Sequence, residues 1–224
     1  MTGIRVDARR SRTRNKALAI AAAGIVLAAG ITVPSLAAWT DIEWVTGGAG
    51  NDSGVTASTF EVEQFTAGDT AWGHYETEAG ANVIDFSAQA AALSPGDTVY
   101  GYVRLRTVAG SLGGTLTLAA DTEVVADTLS AALTYGARVM ADTSGCTAAA
   151  YATTGTQLQA SGSALDASSA GTFSLAAAAD DVTPGAEQVV CFALSFPASF
   201  AADPALQGDT VAPVWHFDAV SVSS

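Results

Sequence analysis

The sequence predicts an all-β protein: a jelly-roll-like two-sheet sandwich that follows a cleavable N-terminal signal helix. Three observations point there. Apolar and polar residues alternate with a period of two in several short runs beyond residue 57. Clusters of Gly, Pro, Asp and Ser separate those runs. The first 37 residues also differ in composition from everything that follows.

Residues 1–37 read as a secretory signal peptide, with the order of basic start, apolar middle and small-residue cleavage site. Six of the nine basic residues lie in the first sixteen positions: Arg5, Arg9, Arg10, Arg12, Arg14 and Lys16. Ala17 to Val33 carries no charge, Pro34 breaks the run, and Ser35 and Ala37 supply the small residues. Cleavage is expected after Ala37, with Ala38 as the alternative. An uncleaved anchor is the weaker reading, because Ala and Gly dominate the apolar run.

Beyond residue 37 only Arg104, Arg106 and Arg138 are basic, against all but one of the chain's 22 acids. Such a surface repels nucleic acid and anionic lipid, and attracts divalent cations or basic polymers. A membrane contact is therefore expected only through an uncleaved signal.

Residues 38–57 read as an N-terminal strand and linker. In "AWTDIEWVTGG", Ile42 and Trp44 share one face and Asp41 and Glu43 the other, while Trp39 and Val45 add apolar area. Gly47 and Gly48 then give a flexible joint. Such a strand can add to an open sheet edge, in its own domain or in a neighbour's.

Residues 58–224 carry the sandwich. The clearest strand is 98–107, with Val99, Val103 and Leu105 on one face and Tyr100, Tyr102, Arg104 and Arg106 on the other. "SPGD" at 94–97 precedes it as a turn, because Pro95 fixes φ and Gly96 permits positive φ. Further strands are expected at 58–65, 82–88, 114–120, 132–140 and 171–178. Residues 187–198 are apolar on both faces, which predicts a central strand covered on both sides. The last strand, 211–222, sets Trp215, Phe217 and Ala219 against Val214, His216, Asp218 and Val220. Residues 128–133 suit a helical turn, 161–171 a loop, 200–209 a short helix, and "GSLGG" (110–114) a hairpin turn. Cys146 and Cys191, an even pair in an exported chain, are expected to form a disulfide.

Catalytic motifs are missing. The sequence has no nucleophile elbow, P-loop, dinucleotide fingerprint or HExxH helix. His74, Glu76 and Glu78 would share one face of a strand and could then hold a cation. His216 has Asp218 as its only partner on its own strand. Asp180, Asp181 and Glu187 surround a Pro-Gly turn without the ligand spacing of an EF-hand, so weak surface calcium binding is the most that they offer. No cofactor or catalytic residue is expected.

The polybasic start, the Ala/Gly-rich core and "LAAWTD" across the cleavage site resemble the SipW-type signal peptides of exported Gram-positive proteins. "FSAQAAALSPGDTVYGYVRLRTVAGSLGGTLTL" and "VWHFDAVSV" resemble the middle and the close of the TasA-like and camelysin-like family. The resemblance implies a jelly-roll domain, a dedicated signal peptidase, and self-association or pairing with paralogous subunits by strand donation. Trp39, Ile42 and Trp44 are the donor candidates. The expected function is a secreted or cell-surface structural protein, a biofilm-matrix or fibre subunit. The alternatives are an acidic binding module for calcium or a basic polymer and, third, a camelysin-like metallopeptidase, for which the HExxH motif is missing.

Overall fold

The computed structural model describes residues 58–222. The readings made for the signal peptide, for cleavage at Ala37 or Ala38, and for the strand with Trp39, Ile42 and Trp44 lie outside the described residues.

Eight strands follow in chain order: β1 Val62–Thr66, β2 Thr98–Thr107, β3 Gly114–Ala120, β4 Thr134–Met140, β5 Thr156–Ala164, β6 Thr172–Leu175, β7 Gln188–Ser195 and β8 Trp215–Ser221. Two short helices, α1 Leu129–Ala132 and α2 Ala148–Thr153, interrupt them. One sheet has the order β1-β2-β7-β4-β5 and the other β6-β3-β8. All their strand pairs are antiparallel.

Alternation decides which face each strand buries. On β2, Val99, Val103 and Leu105 turn inward and are almost fully buried. They meet Leu116 and Leu118 of β3, Phe173 and Leu175 of β6, and Phe192 of β7 in one core. Trp215 and Phe217 of β8 close over that core, and the Trp215 ring lies 4.9 Å from the Phe192 ring. Strand β7, between β2 and β4, is buried along both faces, as its apolar run predicts, and Val190, Phe192 and Leu194 face the core between the sheets. Its second face sits under α2, where Tyr151 packs with Val189, Cys191 and Ala193.

The expected disulfide joins Cys146 to Cys191, with the Cα atoms 5.4 Å apart. It ties the loop before α2 to the central strand. Closing a loop with a sequence separation of 45 contributes about 4 kcal/mol in the chain-entropy view. The "SPGD" turn forms as expected, with Gly96 at φ 103° and the Asp97 amide donating to the Ser94 carbonyl at 2.9 Å.

Three expectations are corrected. Residues 82–88 are not a strand; they run as irregular chain into a 3-10 turn at Ala88–Ala92. Residues 161–171 are not all loop, because β5 extends to Ala164. That strand lies at a sheet edge with only Leu158 buried, so it shows no apolar alternation to read. "GSLGG" is not a hairpin turn: β2 and β3 belong to different sheets, and the segment carries the chain across between them. Helix α2 was unanticipated; its Ala-rich sequence is capped by Thr147, whose hydroxyl accepts from the Ala150 amide at 3.5 Å.

Candidate functional site: the open seam between β1 and β8

The two sheets meet along two seams. At the β5–β6 seam they are stitched together. The Ser169 hydroxyl, in the approach to β6, donates to the Leu158 carbonyl of β5 at 2.6 Å and accepts from the Gly171 amide at 2.9 Å. The Ser169 amide donates to the Leu118 carbonyl at 2.9 Å. Tyr135 of β4 reaches the same loop and donates its hydroxyl to the Ala167 carbonyl.

At the β1–β8 seam the sheets stay apart. A groove of about 480 Å³ lies between them. Its floor is apolar: Val103, Leu105, Leu116, Phe192 and Phe217. Its rim is acidic, with Glu61, Glu63, Glu76, Glu78 and Asp121. The alternation of β1 turns Val62, Gln64 and Thr66 toward the groove, while Glu63 is bonded on its side to Arg106 at 2.6 Å. The segment 75–84 forms the outer wall.

The two strands that flank the groove have different edges. The outer edge of β1 is strapped. The Gln64 and Gly73 backbones exchange hydrogen bonds at 2.9 and 3.0 Å, and His74 Nδ1 donates to the Val62 carbonyl at 3.2 Å. The Asp69 carboxylate accepts from the Thr66 amide and from the Asn82 side chain, both at 2.6 Å. Burial works to raise the pKa of this carboxyl, but the Thr66 amide, the Asn82 amide, the Thr66 hydroxyl and Tyr75 together outweigh it and hold it low. Trp72 fastens the strap from outside, lying over the Arg106 guanidinium at 3.9 Å and near that of Arg104 at 5.0 Å.

Among the described residues the outer edge of β8 is free. Its ladder to β3 uses the backbones of alternate residues, as the Val222 amide bonded to the Gly113 carbonyl fixes the phase. The backbones of Trp215, Phe217 and Ala219 therefore face away from β3, on the groove side. Among the described residues no strand pairs with them. An edge of this kind is a template for another extended chain.

The titratable residues singled out in the sequence go to separate places. His74 pairs with Glu61 at 3.3 Å, whereas Glu76 and Glu78 line the groove. There is no strand at 74–78 to align them. His216 has a partner besides Asp218: its Nδ1 meets Asp121 at the end of β3, and its Nε2 lies 3.4 Å from Asp218. Asp180 caps its own turn through the Val182 and Thr183 amides, and Glu187 is bonded to Arg104. Among the described residues no group of three or more His, Cys, Asp or Glu side chains is placed to share a metal ion.

Ile84 and Phe86 are the site residues that sequence reasoning missed. They pack over Gly101, where β2 lacks an inward side chain; a β-carbon there would fall 2.6 Å from Ile84 Cγ2. Gly101 within the alternation Val99, Val103, Leu105 was the available signal, since glycine inside a strand marks a close approach. No protein-family model matches the chain, and neither curated proteins nor solved structures return a match.

Proposed function

We propose that the chain is a secreted or cell-surface structural protein, a matrix or fibre subunit that assembles by β-strand donation. In this reading the sandwich is a jelly roll with one place left open. Removal of residues 1–37 by a dedicated signal peptidase frees "AWTDIEWVT", and this segment of one subunit completes the sheet of the next. The observation that carries the reading is the groove, with its apolar floor beside the free edge of β8. Backbone hydrogen bonds along such an edge supply affinity, and side-chain pockets supply register. Burying Ile42 and Trp44 there contributes several kcal/mol, at about 25 cal/mol per Å².

Electron microscopy and sedimentation velocity of the exported protein test it. The wild-type chain is expected to form fibres or oligomers, and a chain with Ile42→Asp and Trp44→Asp to remain a monomer. A wild-type chain that stays monomeric at all concentrations refutes the proposal.

A further inference from the structure

The segment 82–87 is the anomaly of the open seam. Its sequence "NVIDFS" alternates as a strand does, yet it joins neither sheet. Ile84 and Phe86 point into the sandwich, with Phe86 6.4 Å from the Trp215 ring, while Val83 is 75% exposed. Its backbone bonds are local: the Val83 amide goes to the Asn82 side chain, and the Ser87 amide to the Asp85 side chain. Ser87 closes the segment at φ 72° and ψ 170°, a conformation that costs energy for any residue but glycine. A strand-competent sequence thus fills the seam with two side chains, makes no ladder, and is held by a strained residue.

We propose that residues 82–87 are a displaceable plug, which gives way when residues 39–45 of a second copy pair with the free edge of β8. The inference rests on the strand-donation reading and adds its control element. The strap on β1 leaves β8 as the receiving edge of this seam. The occupant is a second copy because of where the described chain begins. Thr59 bridges Ser111, near the end of β8 where Ser221 pairs with Gly114. Within one chain, a direct path from Thr59 would reach β8 at its Ser221 end first, and a segment pairing from there would run parallel to β8. Every pair in that sheet is antiparallel, which is the more stable arrangement, and a second copy is free to adopt it.

The test uses the full exported chain with Ile42→Asp and Trp44→Asp as acceptor, and a synthetic peptide of residues 38–46 as probe, followed by calorimetry. Ile84→Ser weakens the plug and is expected to tighten peptide binding about tenfold, by raising the fraction of open acceptor. Ser87→Gly relieves the strain, holds the plug in place, and weakens binding about threefold on the same logic. Hydrogen exchange of the acceptor is expected to change at residues 83–87 on peptide addition and to stay unchanged at 158–171. Binding that is indifferent to both substitutions, or shifted the same way by both, overturns the plug while leaving donation intact. A folded acceptor that never binds the peptide overturns donation and the plug together. A wild-type chain that stays monomeric and refuses the peptide, while the acceptor variant binds it, overturns the second copy in favour of the chain's own segment.

Discussion

At the β5–β6 seam the hydroxyls of a buried serine and a tyrosine bridge the sheets. At the β1–β8 seam an irregular segment and a groove stand between them. Both seams close the same core, and Phe192 and Leu116 serve each. The difference lies in how backbone groups are satisfied. The loop before β6 supplies a hydroxyl donor to the Leu158 carbonyl of β5 and a carbonyl acceptor to Tyr135 of β4, so the two sheets are bonded to each other there. At the other seam β1 is satisfied from outside by its strap, and among the described residues β8 keeps one side unpaired. The side of the sandwich that is bonded shut and the side that presents an edge to another chain are therefore opposite each other.

Truncating matched aliphatic residues at the two seams tests this contrast most strongly. Leu118 is fully buried beside the stitched seam. Leu118→Ala is expected to cost about 3 kcal/mol, as transfer and cavity terms add in a closed core. Ile84 is half-buried and lines a groove that is already open, so Ile84→Ala forms no new closed cavity and costs about 1 kcal/mol. Urea unfolding of both variants measures the pair. Equal losses would mean that residues 82–87 are as firmly built in as β3, and the contrast between the seams would fail.

What was legible in the sequence divides along the same line. The limits 98–107 and 114–120 match β2 and β3 because alternation, turn chemistry and burial agree there. The doubly apolar run gave away β7 as the centre of its sheet. Edge elements were harder. Strand β5 is mostly exposed, so burial left no mark on its composition. Residues 82–88 carry a strand's alternation, but tertiary packing over Gly101 overrides it. The groove itself was out of reach, because it depends on β1 and β8 facing each other across two sheets, a relation with no local signature. Residues 38–57 suggest a donor by their alternation alone.

Alkaline titration probes the stitched seam. Burial pushes the Tyr135 phenol up to about 12; the nearby Asp166 charge adds to this, and the Trp215 indole works against it. A group raised in the folded state contributes stability that is complete below its ordinary value of about 10 and is lost as pH rises through the folded value. The wild-type protein is therefore expected to lose stability between about pH 10 and 12. Tyr135→Phe should start about 1 kcal/mol less stable at neutral pH, having lost the bond to Ala167, and should fall less steeply above pH 10. Some slope remains, since burial also raises Tyr151. Thermal melts across that range measure both slopes, and parallel curves would remove Tyr135 from the seam's energetics.

Acid probes the opposite side, with a smaller and more local effect. Asp69 holds the strap on β1 as a carboxylate, and its pKa is lowered in the folded protein. Stability from a lowered carboxyl is present above its ordinary value of about 3.9 and is lost as pH falls through the folded value. Protonation removes the acceptor shared by the Thr66 amide and the Asn82 side chain, so the strap loosens while the sheets persist. Hydrogen exchange at the Gln64 and Gly73 amides, corrected for intrinsic rate, is expected to rise about tenfold below that value, as fits the loss of a hydrogen bond to a charged group. Amides of the stitched seam at Ser169 and Gly171 should hold, because no carboxylate takes part in their bonds to Leu118 and Ser169. Asp69→Asn should show the loosened strap already at neutral pH and lose the acid step. If both seams opened together in acid, the strap would belong to the global folding unit, and the outer edge of β1 would no longer count as separately guarded.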